Sequence, residues 1–391
     1  MPLRQEMVND ILRTRVLVHA YPRLSGEDSV QYYEYHDELS SMVTDLVYHD
    51  EFTKHEMAVG HPENPQRLRS ALKGIETTGL IDEGKITLHT PGEPSLSHIH
   101  RLHDIQYIEG IKRKSEKGGG VYTLDTSVNS HSYKAALLAA GGGLEAVDRV
   151  LSGTSRNAFV LCRPPGHHAE YTRAFGFCFI NNVAVAAAHL IEDCGLQRVM
   201  IVDYDAHHGN GTQNAFYGTN KVLYVGLHQD GRTLFPGSGF PNEIGEGEGE
   251  GYTVNLSMYP GAGDASYRQV FTEVVEPLAE SFKPEFVLVS VGYDGHFKDP
   301  LTSLGLTTAG FAFMNSRLVS MGEQYASGSI VCFLEGGYNL DVMSMGATNL
   351  VQRLSGSDVS EFEDMYKESD KSRGHTDSLV EYLAKTIPLL Q

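Results

Sequence analysis

The chain has 391 residues, room for two to three domains at ~150 residues each, and its 41% hydrophobic and 21% charged residues are those of a globular protein. Its 31 Lys and Arg against 50 Asp and Glu leave a net charge of −19, which excludes sequence-independent nucleic-acid binding and polybasic attachment to a membrane. A field of that sign steers cationic substrates or basic partners inward.

Residues 1–44 read as an N-terminal extension, with a helix over Val8–Val18 and then Ser25–Ser41, rich in Tyr, Asp and Glu. The opening twenty residues mix both charge signs and lack the uninterrupted apolar centre of a signal peptide. From Asp45 onward short apolar runs alternate with longer helical patterns. Strands are predicted at Leu46–His49, Ala158–Arg163, Val199–Tyr204, Val222–Leu227, Phe286–Val291 and Ile330–Leu334. Helices are predicted at Ser132–Leu151, Asn181–Asp193, Tyr267–Ser281 and Thr308–Tyr325.

The strand runs are continuously apolar rather than alternating, as suits a parallel sheet covered on both faces. Their alternation with helices predicts an α/β fold: a central, mostly parallel sheet with helices on both sides. No linker divides the chain, so 45–355 is expected to form one large domain. Residues 356–391 form an acidic segment, with eight acids against three Lys or Arg over Asp358–Glu381. It is expected to be a solvated face packed on the domain or partly mobile, followed by a short closing helix.

Two glycine-rich stretches lean to structure. Gly141-Gly142-Gly143 lies inside a helical pattern and predicts close helix packing. The glutamates of Gly245–Gly251 would repel phosphate, so that stretch reads as a flexible surface loop rather than a dinucleotide loop. Cys162, Cys178, Cys194 and Cys332 are too few and too scattered for a disulfide framework or a CxxC zinc site, and are expected to be reduced and mostly buried. No run of about 18 apolar residues marks a membrane span. A cytoplasmic chain is expected, or a nuclear one if eukaryotic, with neither nucleic acid nor membrane as partner.

Open α/β sheets gather ligands at the carboxyl ends of their strands. Reading past each predicted strand gives His167-His168, Asp203-Tyr204-Asp205-Ala206-His207, Asp294 with Asp299-Pro300, and Glu335-Gly336-Gly337-Tyr338. The spacing of Asp203, Asp205 and His207 puts all three side chains on one face of an extended chain. A carboxylate and an imidazole two residues apart can chelate one ion, and Asp299 is a candidate third ligand. Such a set leaves a position open for water and substrate, as catalytic zinc sites require. Of the two adjacent histidines, one could act as general base and acid and the other stabilise charge, while the Tyr338 phenol could donate to an oxyanion. Taken singly, each has an ordinary explanation: a solvated loop, a helix-capping histidine, a packed tyrosine.

Together they resemble a known family. Arg163-Pro164-Pro165-Gly166-His167-His168, Gly176-Phe177-Cys178-Phe179-Ile180-Asn181-Asn182, Asp203 through Gln213, and Leu334 through Tyr338 look like signatures of the zinc-dependent histone deacetylases. The likeness is to the class II type and its bacterial histone deacetylase-like amidohydrolases, of arginase–deacetylase fold. With Gly60-His61-Pro62-Glu63, it spans roughly 45–355.

The resemblance implies zinc, with iron(II) as the alternative ion, held by Asp205, His207 and Asp299. It implies His168 as general base and acid paired with Asn210, and His167 as its electrostatic partner paired with Asp203. Tyr338 would polarise the substrate carbonyl, Gly176, Phe177 and Phe235 would wall a lysine channel, and Asp125 would hold the substrate backbone at the rim. Two structural potassium sites are implied, one from Asp203, Asp205, His207 and Leu227, the other from Phe216, Thr219 and Val222. A serine of the family's first site is Gly226 here.

The implied activity is hydrolysis of acetyl-lysine in proteins or peptides to acetate and lysine. An alternative is an acetylpolyamine deacetylase. Polyamine-selective eukaryotic relatives carry a glutamate seven residues after the last metal ligand, which from Asp299 falls on Leu306. A non-catalytic acetyl-lysine-binding scaffold would show broken ligands or a lost tyrosine. Self-association as a homo-oligomer is common among bacterial relatives.

Overall fold

The computed structural model describes residues 43–360 and 362–391; the helix expected at Val8–Val18 lies outside them. Among the described residues ten strands are formed: β1 Thr44–Val47, β2 Ile86–His89, β3 Gly119–Val121, β4 Ser127–Asn129, β5 Asn157–Val160, β6 Val199–Asp203, β7 Val222–Gln229, β8 Thr253–Met258, β9 Phe286–Val291 and β10 Ile330–Leu334. Eight of them make one sheet in the order β2-β1-β5-β10-β9-β6-β7-β8, while β3 and β4 form a separate antiparallel pair. Every pairing in the large sheet is parallel. Helices cover both faces, so the fold expected from the sequence is the one observed.

The six predicted strands are all present, with ends shifted by up to three residues. β6, β9 and β10 are buried along their whole length, which explains their uninterrupted apolar runs. The strands missing from the prediction are those whose pattern is mixed. β2 is an edge strand with two exposed residues, and β8 carries the buried polar Asn255 and Ser257.

The strand order places the site. β5 and β6 are consecutive in the chain yet not neighbours; β10 and β9, from the last third of the sequence, lie between them. Loops following residues 160, 203, 291 and 334 therefore open side by side at one end of four adjacent strands.

Among the helices, Ser132–Leu151, Asn182–Glu192 and Thr308–Tyr325 form as expected. The helix predicted at Tyr267–Ser281 is instead two α-helical segments, Asp264–Val270 and Glu276–Phe282, joined by a wide π-helical turn at Phe271–Val275. Pro277 has no N–H to give the preceding turn, and the wider turn absorbs the missing bond. Asp370–Thr386 is a 17-residue helix that starts inside the acidic segment, rather than a short one after it. Its Leu379, Val380 and Leu383 are buried, while Asp364 and Glu368 accept hydrogen bonds from Thr308 and Ser266 at the starts of two helices. These acids complete orphan helix N–H groups, so part of the segment is structural.

The Gly245–Gly251 stretch is an ordered loop rather than a loose one. Glu246 N–H donates to Tyr217 O at 2.9 Å, and Gly249 is buried against Tyr217–Thr219. All four cysteines are free and buried. Among the described residues no helix is long and apolar enough to cross a membrane.

Gly141 makes the closest approach of helix Ser132–Leu151: a Cβ there would lie 2.2 Å from the Gly92 carbonyl oxygen. Helix propensity alone favours Gly→Ala by about 1 kcal/mol. Backbone cannot withdraw as a side chain can, so Gly141→Ala is expected to lower stability by about 1–3 kcal/mol in urea denaturation. An unchanged or raised midpoint would show that the Gly92 turn yields.

Candidate active site and metal centre

The loop after β6 carries three site residues. Asp203 ends the strand, and Asp205 and His207 follow at two-residue steps. The His207 Nδ1 is 3.1 Å from Asp205 Oδ1 and 2.8 Å from Asp294 Oδ2. Donor atoms of Asp205, His207 and Asp294 all lie within 4.8 Å of one another; both carboxylates are buried and the His207 side chain is 11% exposed.

Asp299, expected as the third ligand, is not in this group. Its two oxygens instead accept from Leu301 N–H at 2.9 Å and Tyr338 N–H at 2.8 Å, tying the β9 loop to the β10 loop. The physical reason is distance along the chain. Asp294 comes three residues after β9 ends, the range in which Asp205 and His207 follow β6, whereas Asp299 lies beyond a further turn. That spacing was the available signal for Asp294.

Electrostatics support a cation here. Burial pushes Asp294 and Asp299 upward, each further raised by a neighbouring carboxylate, and Asp299 reaches about 7. Burial also opposes Asp205, but His167 and His207 outweigh it and hold its carboxyl far below the usual range. Carboxylates this close and this dry need a compensating charge. The donor set, two carboxylates and one imidazole, fits a divalent ion such as zinc with a coordination position left open. Gly336 leaves the room: a Cβ on it would sit 2.5 Å from both Asp205 Oδ2 and Asp294 Oδ2.

His167 and His168 lie on the loop after β5, with ring centroids 4.0 Å apart. His168 Nδ1 is 2.7 Å from Asn210 Oδ1, whose own Nδ2 donates to Glu170 at 2.7 Å. That second bond fixes the amide, so the His168 Nδ1 carries the proton and its Nε2 keeps a lone pair. His167 Nδ1 is 3.0 Å from Asp203 Oδ2. Burial, then the neighbouring His167 and His207, holds His168 well below its usual range. Burial opposes a charge on His167 too, but Asp203 and Asp205 raise it to about 10. Their surroundings thus push the two imidazoles in opposite directions.

A cavity of about 220 Å³ leads to this pair. Gly176, Phe177 and Phe235 are in its wall, His167, His168, His207 and Tyr338 in its depth, and Asp125 at its mouth. Gly176 has φ +53°, and a Cβ there would lie 2.3 Å from the His168 ring, so glycine sets the channel width at this point. The Phe235 ring packs edge-on to His168 at 5.2 Å, and Phe177 edge-on to Tyr338 at 6.0 Å. Leu306 is elsewhere: it is fully buried against Gly295 and Gly310 and does not line the cavity. Counting seven residues from Asp294 instead reaches Leu301, which does.

The sequence also hid the scaffold behind the site. Glu63 is fully buried between Arg163, bonded through both carboxylate oxygens, and Arg67, 2.9 Å away. Arg67 then donates to the carbonyls of Gly337 at 2.6 Å and Glu335 at 2.5 Å, and its guanidinium lies 4.9 Å from the Tyr338 ring centroid. Glu335 in turn accepts from Gly166 N–H at 2.7 Å and His167 N–H at 3.1 Å. Apart from the i,i+4 pair Glu63–Arg67, none of these contacts follows from spacing, because the partners are about 100 to 270 residues apart.

Fold and site together define an α/β amidohydrolase with a candidate metal centre. The histone deacetylase domain family matches residues 61–354. A probable deacetylase of Archaeoglobus fulgidus is 41% identical over 321 residues, 82% of this chain and 88% of that protein. A histone deacetylase-like amidohydrolase of Pseudomonas aeruginosa is 36% identical over 299 residues, 76% of this chain and 78% of its own length. The crystal structure of the HDA15 HD domain superposes with a TM-score of 0.81 at 34% identity, covering 89% of this chain and 96% of that one. The chain belongs to the histone deacetylase family, a generally metal-dependent family of hydrolases.

Replacing Glu63 by Gln would leave two buried guanidiniums without a counter-charge. The expected loss is about 3–5 kcal/mol of unfolding free energy. Burial opposes ionisation of Glu63, yet Arg163 and Arg67 hold its carboxyl far below the ordinary 4.5. Its stabilisation is therefore complete above that pH and lost as acid approaches the folded-state value. Denaturation of Glu63→Gln against pH should show a shallower acid limb than the parent; parallel acid limbs would remove Glu63 from the acid response.

Proposed function

We propose that this chain hydrolyses the amide of N-ε-acetyl-lysine in proteins or peptides, with zinc, or alternatively iron(II), held by Asp205, His207 and Asp294. The observation that carries this reading is the pair of adjacent imidazoles, His167 backed by Asp203 and His168 by Asn210, at the end of a narrow aromatic channel with a tyrosine beside them. Different partners behind two neighbouring groups let a site divide the acid and base roles between them.

A bound divalent cation would supply Lewis-acid polarisation of the acetyl carbonyl and acidify a water molecule. The chain's own groups do the rest. Phe177 and Phe235 flank the aliphatic stem of the lysine, excluding water and orienting the amide. His168 Nε2 takes a proton from the attacking water, the C–N bond breaks, and the same nitrogen returns the proton to the departing amine. His167, backed by Asp203, and the Tyr338 hydroxyl stabilise negative charge as it develops on the carbonyl oxygen. Acetate and a free lysine leave. Asp125, exposed at the mouth, is placed to accept from the substrate backbone.

The two structural potassium sites belong to this proposal as well. Phe216, Thr219 and Val222 fall in the turn between helix Asn210–Phe216 and β7, while Leu227 lies within β7 near Asp203. Where the family's serine is replaced by Gly226, the buried Tyr224 hydroxyl lies 2.8 Å from the position a Cβ would take. That phenol suits the missing oxygen ligand.

Peptide rather than polyamine is favoured at Leu301, an aliphatic side chain that offers no carboxylate to an internal ammonium of a polyamine. Intact donors and Tyr338 favour catalysis over a binding scaffold. Steady-state kinetics of zinc-loaded protein on acetyl-lysine peptides, longer acyl-lysine peptides and acetylpolyamines should rank the acetyl-lysine peptide first in kcat/KM. A higher kcat/KM for acetylpolyamine would reverse the substrate assignment. Tyr338→Phe should lower kcat about 10²–10³-fold with the metal retained, and parental turnover in that variant would remove the tyrosine from the chemistry.

A further inference from the structure

In the last turn of the Asn182–Glu192 helix, a second set of ligand-type side chains meets around His189. The imidazole is mostly buried. Its Nδ1 is 2.8 Å from Asp193 Oδ2, one turn further on. Asp193 is itself anchored by Arg101, which reaches its two oxygens at 2.6 and 2.7 Å, and His98 Nε2 lies 3.4 Å from the same carboxylate. Asp193 is thus already spoken for as an acceptor, and it fixes the His189 proton on Nδ1.

The other ring nitrogen faces a different chemistry. Nε2 is 2.8 Å from Asp148 Oδ1, on helix Ser132–Leu151, and 3.6 Å from Cys194 Sγ, just past the end of its own helix. Ligand atoms of Asp148, His189 and Cys194 lie within 4.8 Å of one another. A single Nε2–H cannot point at both the carboxylate and the sulfur. A divalent ion in their midst bonds to all three.

We propose that Asp148, His189 and Cys194 form a second metal site, for a thiolate-accepting divalent ion of the zinc class, with water completing a four-coordinate shell. Binding displaces the Cys194 thiol proton and any proton on His189 Nε2 to solvent, leaving thiolate, neutral imidazole and carboxylate as ligands. Asp193 then has the role that carboxylates commonly take behind a metal-bound histidine, accepting the remaining N–H and setting the ring plane. Asp148 is more than half exposed, so the ion has an entry path. The site would clamp helix Ser132–Leu151 to helix Asn182–Glu192, the element that directly follows the loop bearing His167 and His168.

Cobalt(II) reports a thiolate ligand, and the three-residue set proposed for catalysis contains none. Chelator-treated protein titrated with Co²⁺ should develop a near-ultraviolet thiolate-to-cobalt charge-transfer band at one site per chain. Cys194→Ser should abolish the band, and Asp193→Asn should weaken cobalt affinity at that site about 10–100-fold. Far-ultraviolet circular dichroism would verify that both variants are folded. Absence of the band at saturating cobalt, or a band that survives Cys194→Ser, would overturn the site and leave His189 an imidazolium held between two carboxylates. Neither variant touches the channel, so acetyl-lysine turnover is a separate readout.

Discussion

The organising constraint is negative charge taken out of water. Asp203, Asp205, Asp294, Asp299 and Glu335 are all buried at the carboxyl ends of adjacent strands. Buried carboxylates persist only where imidazoles, N–H groups or a cation meet them. Each here has such a partner: His167 for Asp203, His207 for Asp205 and Asp294, and backbone N–H groups for Asp299 and Glu335. The crevice is therefore built for positive charge before any substrate arrives.

Behind that crevice a second buried network does the positioning. Glu63 holds Arg163, next to the histidine loop, and Arg67, whose guanidinium grips the backbone on which Tyr338 sits. Loops from opposite ends of the sequence are thereby locked in one frame, and the general base and the tyrosine share it. Arginine suits this task because its planar fork reaches several fixed acceptors at once. Precision at the chemistry rests on residues that never face the channel.

Much of this was legible in the residue order. Continuous apolar runs identified the central strands, and the His-His, Asp-x-Asp-x-His and Gly-Gly-Tyr clusters past their ends pointed to one crevice. Asp294 and Leu301 were missed although the end of β9 was placed correctly, because the Asp299-Pro300 pair drew the assignment five residues too far along the chain. Of the Glu63–Arg67–Arg163 frame only the i,i+4 pair Glu63–Arg67 has a local spacing, and the rest was illegible for another reason. Contacts across about 100 residues or more depend on strand order, which no local pattern encodes.

That strand order has a consequence for how the chain comes into being. A ribosome delivers β5 and β6 long before β9 and β10, and the two early strands cannot pair with each other without closing the gap that the later ones fill. During synthesis, β5 and β6 therefore carry open inner edges, a state prone to wrong pairing. The histidine loop, the aspartate loop and the tyrosine loop first stand next to one another only when β10 slides home. The full site thus waits for completion of the sheet, although the neighbouring β6 and β9 carry Asp205, His207 and Asp294 before β10 arrives.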